Sequence, residues 1–275
     1  MKPKLPITEQ RNPKSMHLDQ MSALEIVELM NEEDHQVQKA VASQIPVIAK
    51  VTELISNAFS QGGRLFYFGA GTSGRLGVLD SSECPPTFGV SPEQVQGVIA
   101  GGDSALRSAV ESAEDNPELG RADVRNRSIG STDIVVGLAA SGRTPYVRGV
   151  LEEAKERGAI TVLVCCNPDA PLIPLVDYAI VPVVGPEILT GSSRLKAGSA
   201  QKQVLNMLTT GAFVLQGKVY SNLMVDLRPT NEKLIDRSVR MIMLATECSR
   251  ETAEEALQKA NLNVRLAIHS IVERS

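Results

Sequence analysis

The stretch RLFYFGAGTSGRLGVLDSSECPPTFG, residues 64–89, decides the fold. Its first six residues are an apolar run of strand length, and GAGTSG (69–74) then makes a glycine-rich turn that opens a helix. Four later runs repeat the strand character: VQGVIAG (95–101), DIVVGLA (133–139), ITVLVCC (160–166) and YAIVPVV (178–184). Helix-compatible segments separate them at 74–82, 104–114, 146–157 and 170–176. Apolar strands alternating with helices describe a parallel sheet covered on both faces, so residues from about 64 to 217 read as one doubly wound α/β domain. Such sheets bind ligands beyond the carboxyl ends of their strands.

The flanks are helical. Residues 1–20 read as an extended arm, and 21–31 and 35–60 as helices. Pro46 marks a kink or break in the second. Residues 191–215 form a long helix with Ser192 or Ser193 as its N-cap. The last part of the chain carries three short amphipathic helices, at 234–245, 249–260 and 263–272. The expected division is 1–60, 61–225 and 226–275.

Bulk properties narrow the function. The 275 residues are 43% hydrophobic and 22% charged, an ordinary globular balance with enough chain to bury a large core. Trp is absent and aromatics make up 3%, so the core is aliphatic. A net charge of −4 argues against a broad nucleic-acid-binding surface, while a local basic site stays open. The polar, proline-interrupted N-terminus lacks the apolar run of a secretory signal, and the longest apolar stretches are too short to span a membrane. A cytoplasmic protein with no membrane partner is expected. Cys84, Cys165, Cys166 and Cys248 show no CxxC spacing and read as reduced thiols.

GAGTSG suits an anion, because amides at a helix start point at the ligand and Thr72 and Ser73 add hydroxyls. The string also fits the GxGxxG dinucleotide fingerprint, yet the next strand ends in Ala100-Gly101-Gly102, without the acidic residue that a ribose requires. No Lys-Ser or Lys-Thr follows the glycines, which excludes a Walker A loop. A second loop, AASGRTPYV (139–147), repeats the arrangement with Ser141, the Gly142 amide, Arg143 and Thr144 as donors, Thr144 as N-cap and Pro145 in the first turn. Two such loops on one sheet fit a sugar-phosphate pocket. A structural turn, and a solvated Arg143, remain open from the residues alone.

Two carboxylates stand out. Pro85-Pro86 is expected to stop the helix, which leaves Glu83 at its C-terminal end, where the dipole and any burial raise a carboxyl pKa. The other reading is a surface glutamate that starts a turn. Glu111 and Glu114 share one face of the expected 104–114 helix, beside Asp115, and an ordinary solvated face is the bland alternative. His17, His35 and His269 are far in sequence from both loops, so proton transfer falls to carboxylates if a sugar phosphate is processed.

The stretch GAGTSGRLGVLDSSECPPTFG resembles the signature of the N-acetylmuramic acid 6-phosphate etherases. TEQRNPKSMHLDQMS (8–22), VIAGGDSALRSAVESAEDNPELG (98–120), GLAASGRTPYV (137–147) and GPEILTGSSRLKAGSAQKQVLNMLTTG (185–211) are similar to further motifs of that family. ECSRETAEEALQKANLNVRLAI (247–268) is similar to its ubiquitin-associated-like C-terminal module, with Leu262 in place of the small residue of an ANGNV turn. The resemblance implies a sugar isomerase (SIS) fold with a five-stranded parallel sheet, usually dimeric. It implies an amino-sugar phosphate substrate, no cofactor and no metal. Glu83 and Glu114 are implied as the catalytic carboxylates, and Thr72, Ser73, Ser141, Gly142 and Thr144 as the phosphate ligands. Lys196 is either a further contact or a surface charge. An isomerase on the same fold, and a non-catalytic sugar-phosphate binder like the vertebrate glucokinase regulatory protein, are the competing expectations.

Overall fold

The computed structural model describes residues 5–108, 110, 112–227 and 231–273. Five parallel strands, β1 (Leu65–Gly69), β2 (Val95–Ile99), β3 (Ile134–Leu138), β4 (Ile160–Val164) and β5 (Tyr178–Ile180), lie in the order β2-β1-β3-β4-β5. Each matches an apolar run that the sequence singles out. Alternate side chains feed two cores. Leu65, Tyr67, Val136 and Val162 join the core beneath α1 (Ala23–Ala42), α2 (Ile45–Ser60), α3 (Gly71–Phe88) and α6 (Lys196–Leu215). Phe66, Phe68, Val135 and Leu163 join the core beneath α4 (Pro117–Asn126) and α5 (Pro145–Glu156). A third cluster unites α7 (Glu232–Thr246), α8 (Arg250–Lys259) and α9 (Val264–Val272) with Val225 and Leu227.

Several boundaries differ from expectation for local reasons. The N-terminal segment is not simply extended; it makes three single 3-10 turns, at Ile7–Glu9, Pro13–Ser15 and Leu18–Gln20. Helix α1 runs through 31–35 without a break, started by a Ser22–Glu25 capping box. The break falls at Ser43–Gln44, with Pro46 in the first turn of α2, where its missing N–H costs nothing. Helix α3 does not stop at Pro85-Pro86. It continues to Phe88 and is closed by Gly89 in the left-handed conformation, whose N–H reaches Pro85 O at 2.9 Å.

In place of the expected 104–114 helix, the described residues make a short 3-10 turn, Asp103–Leu106, followed by irregular chain. Arg75 explains this: its Nε and Nη2 take the carbonyls of Leu106 (2.9 Å) and Ala105 (2.7 Å), which a helix would need for itself. Glu111 lies outside the described residues. The segment 170–176 holds only the 3-10 turn Ile173–Leu175. Helix α6 begins at Lys196, with neither Ser192 nor Ser193 as its cap. The buried Glu187 caps it from outside, accepting the amides of Lys196 (3.0 Å) and Ala197 (2.9 Å).

Candidate active site

Sheet order positions the site. Strand β1 has β2 on one side and β3 on the other, so the loops after β1 and β3 leave adjacent carboxyl ends in opposite directions. Gly69 pairs with Leu138 across that boundary. A crevice at such a switch point is where doubly wound sheets bind ligands.

The β1–α3 turn is built for close approach. A Cβ on Gly74 would stand 2.6 Å from Gly69 O and from Ile99 Cγ1, so only glycine lets the helix start against the strand. The first-turn amides of α3, at Gly71, Thr72 and Ser73, have no intrahelical acceptor, and the N-cap Ala70 has no side chain to cap them. The Thr72 hydroxyl has no partner among the described residues. Ser73 is buried, and its Oγ donates to Gln201 Oε1 of α6 at 2.9 Å. The free donor of Ser73 is therefore its amide rather than its hydroxyl proton.

The β3–α5 loop is similarly divided. Gly142, at φ +65°, spends its amide on Ala139 O at 2.9 Å, and a Cβ there would lie 2.3 Å from Ala170 Cβ. Its contribution is the shape of the turn. The Ser141 carbonyl accepts from Asn167 Nδ2 at 3.3 Å, which leaves its hydroxyl available. Thr144 occupies the N-cap of α5, with Pro145 in the first turn, yet its side chain makes no capping bond and is likewise available. Arg143 is exposed.

Glu114 belongs to this crevice. Its carbonyl accepts the Tyr146 amide at 2.9 Å, which fixes it beside the start of α5. It lines a cavity of about 200 Å³ together with Ala70, Gly71 and Arg75. Glu114 thus sits between the two loops, on an irregular segment that Arg75 clamps. Sequence reasoning missed Arg75; a cation near the start of a helix, where the dipole disfavours it, is the available signal.

Glu83 is elsewhere. It is exposed on α3, eleven residues beyond Thr72. At a rise of 1.5 Å per residue that is about 16 Å along the axis, more than the length of a hexose 6-phosphate. Within one chain, Glu114 and the two loops converge and Glu83 does not join them. Lys196 is no surface charge: it is buried, with its Nζ 2.6 Å from Glu33 Oε2. His17, His35 and His269 are exposed. Cys84, Cys165 and Cys166 are buried free thiols, each pushed up by burial, to about 12, about 11 and higher still respectively.

The chain matches three family models: the glucokinase regulatory protein N-terminal SIS domain over residues 46–155, the SIS domain over 118–211, and the C-terminal lid domain of glucokinase regulatory protein over 221–273. Among solved structures it is similar in fold to a phosphoheptose isomerase from Francisella tularensis, with TM-score 0.53, 17% identity and coverage of 70% of this chain and 98% of that one. It is also similar to the Vibrio vulnificus NanR protein complexed with ManNAc-6P, with TM-score 0.51, 15% identity and coverage of 75% and 70%. Much nearer in sequence are N-acetylmuramic acid 6-phosphate etherases. The Glaesserella parasuis protein is 58% identical over 97% of this chain and 88% of its own length, and that of Photorhabdus laumondii is 54% identical over the same shares. On that similarity, this chain belongs to the N-acetylmuramic acid 6-phosphate etherase family.

Proposed function

We propose that this protein is a carbon–oxygen lyase that cleaves the D-lactyl ether of N-acetylmuramic acid 6-phosphate, giving N-acetylglucosamine 6-phosphate and D-lactate. Beyond family membership, one observation carries the reading. Glu114 lines one cavity with Ala70 and Gly71 at the start of α3, where amides are open, and its carbonyl ties it to the start of α5, beside the loop that carries the unspent hydroxyls of Ser141 and Thr144. The amides and hydroxyls suit a phosphate dianion. Ser73 contributes its amide, and Gly142 shapes the second loop. Phosphate binding so far from the reacting carbons supplies energy that orients them.

The chemistry follows from the substrate. An ether is a poor leaving group, so direct hydrolysis is slow. Ring opening exposes an aldehyde at carbon 1 and makes the carbon 2 proton acidic. A base takes that proton, the carbon 3–oxygen bond breaks, and an acid protonates the departing lactate. Water then adds at carbon 3 and a proton returns to carbon 2. Two carboxylates in opposite protonation states suffice. Glu114, beside the phosphate loops, takes the carbon 2 proton. Glu83 protonates lactate and activates the water.

The distance along α3 sets how Glu83 takes part. A substrate held at Thr72 cannot reach Glu83 of the same chain, so the glutamate acts on a substrate bound by a second copy. We therefore place the active site across a homodimer, in the cytoplasm. The division into residues 1–60, 61–225 and 226–275 belongs to the same proposal; the separate apolar cluster around α7, α8 and α9 supports its last part.

Incubation with N-acetylmuramic acid 6-phosphate and assay for D-lactate tests the function. An isomerase on this fold would consume a sugar phosphate without releasing lactate, and a binding protein would turn over nothing.

A further inference from the structure

Lys196 opens α6 with a charge buried in the protein. Its partner Glu33, on α1, is buried as well, their side chains being 3% and 7% exposed. Asn12 Nδ2 donates to the same Glu33 oxygen at 2.8 Å and to Pro186 O at 3.2 Å. Lys14 Nζ stands 3.1 Å from the other Glu33 oxygen. Burial works against a charge on Glu33; the hydrogen bonds from Lys196, Lys14 and Asn12 outweigh it and hold the carboxyl below the usual range. One residue further along the network, Glu187 grips the amides of Lys196 and Ala197. Three segments, around Asn12, at Glu33 and at Pro186–Glu187, are thereby tied to one helical turn.

A buried ion pair is a poor device for stability, since apolar side chains of equal volume often serve as well; its use is to fix a register. The register fixed here borders the phosphate crevice. At Gly198, two residues after Lys196, a Cβ would lie 3.6 Å from Thr72 Cγ2, and Gln201, one turn on, holds Ser73. The first turn of α6 is thus a wall of the α3 N-terminus. Its own first amides are occupied by Glu187 and, at Gly198, by Ser193 O at 3.0 Å, so it serves as a support and offers no anion site of its own.

We propose that Glu33 and Lys196, assisted by Asn12 and Glu187, are positioning residues for the sugar-phosphate pocket. Their pairing sets α6 against Thr72 and makes the segment around Asn12 part of the active-site frame. The inference rests on the reading that the start of α3 holds the substrate phosphate.

The charge-neutral double variant Glu33→Gln/Lys196→Met tests it, with affinity for N-acetylglucosamine 6-phosphate measured by calorimetry and KM and kcat measured by lactate release. The variant folds, binds the sugar phosphate at least tenfold more weakly, and raises KM by more than it lowers kcat. A folded double variant with wild-type affinity and KM overturns the proposal. Should that variant not fold, Asn12→Ala keeps the ion pair and removes one of its supports; a threefold or greater loss of affinity is expected, and none contradicts the idea. A wild-type chain that does not bind the sugar phosphate removes the pocket and the proposal together. One that binds it without releasing lactate overturns the etherase reading alone, because affinity still reports on the positioning pair.

Discussion

Leu262 holds a backbone conformation suited to glycine. It sits at φ +65°, directly after Asn261 at φ +51°, in the turn between α8 and α9. Its amide closes that turn on Leu257 O at 2.9 Å, a bond that calls for the left-handed conformation at Asn261, and Leu262 follows in the same region before α9 begins. A Cβ in this region costs roughly 1–2 kcal/mol, of which the greater freedom of unfolded glycine returns a part. The side chain is 38% exposed, and burial of the remainder returns a further part of the difference. Leu262→Gly is therefore expected to stabilise the protein by about 0.5 kcal/mol, read from its denaturation midpoint. A lower midpoint would contradict this account. The departure from ANGNV was legible in the sequence as a local irregularity, and the structure identifies its cost as backbone strain.

At the scale of elements, α3 and α6 frame both the crevice and a buried carboxylate. Asp80, midway along α3, accepts from Thr209 Oγ1 of α6 at 3.3 Å, while its Oδ2 and the nearby Tyr67 hydroxyl lack partners among the described residues. Burial raises its carboxyl to about 6, outweighing the lowering effects of the Thr209 hydrogen bond and the Lys202 charge. Because the folded value exceeds the unfolded one, the native state binds the extra proton between about pH 4 and 6, and stability is lost as pH rises through that window. Asp80→Asn is expected to stabilise the chain at pH 8 by about 1–3 kcal/mol, with the gain vanishing below about pH 4. Thermal melts across that range check it; a gain that does not depend on pH would be wrong.

Elements were legible where local pattern governs. The five strands were readable because each is apolar on both faces, and α8 and α9 because Ser249 and Asn263 announce their starts. Helix α4 has little apolar pattern to announce it: its composition is charged, and the Asn116-Pro117 start is its one clear signal. The start of α6 and the end of helical structure at Leu106 were not legible, because Glu187, nine residues before Lys196, and Arg75, far upstream of Leu106, act on them through side chains. Proline was over-read in α3. Pro85 and Pro86 remove two donors from its last turns, and Gly89 closes the helix beyond them.

The whole molecule combines these placements into one demand. Sheet order sets the loops that carry Thr72, Ser141 and Thr144 at adjacent strand ends, Glu114 is tied to the start of α5 and shares a cavity with Gly71, and the length of α3 carries Glu83 away from them. If Glu83 serves the crevice of a second copy, Glu83→Gln and Glu114→Gln proteins are each inactive, yet exchange of their subunits creates heterodimers with one intact site. With random exchange, half of the dimers are mixed and half of their sites are whole, so about a quarter of wild-type activity returns. No recovery after demonstrated exchange would place both glutamates in one chain.

Turnover of N-acetylmuramic acid 6-phosphate in deuterated water, followed by NMR, tests the central claim most directly. Elimination and readdition of water predict free D-lactate together with N-acetylglucosamine 6-phosphate that carries deuterium at carbon 2. Lactate released without deuterium at that carbon would contradict the elimination, and no lactate from the folded protein would contradict the etherase function itself.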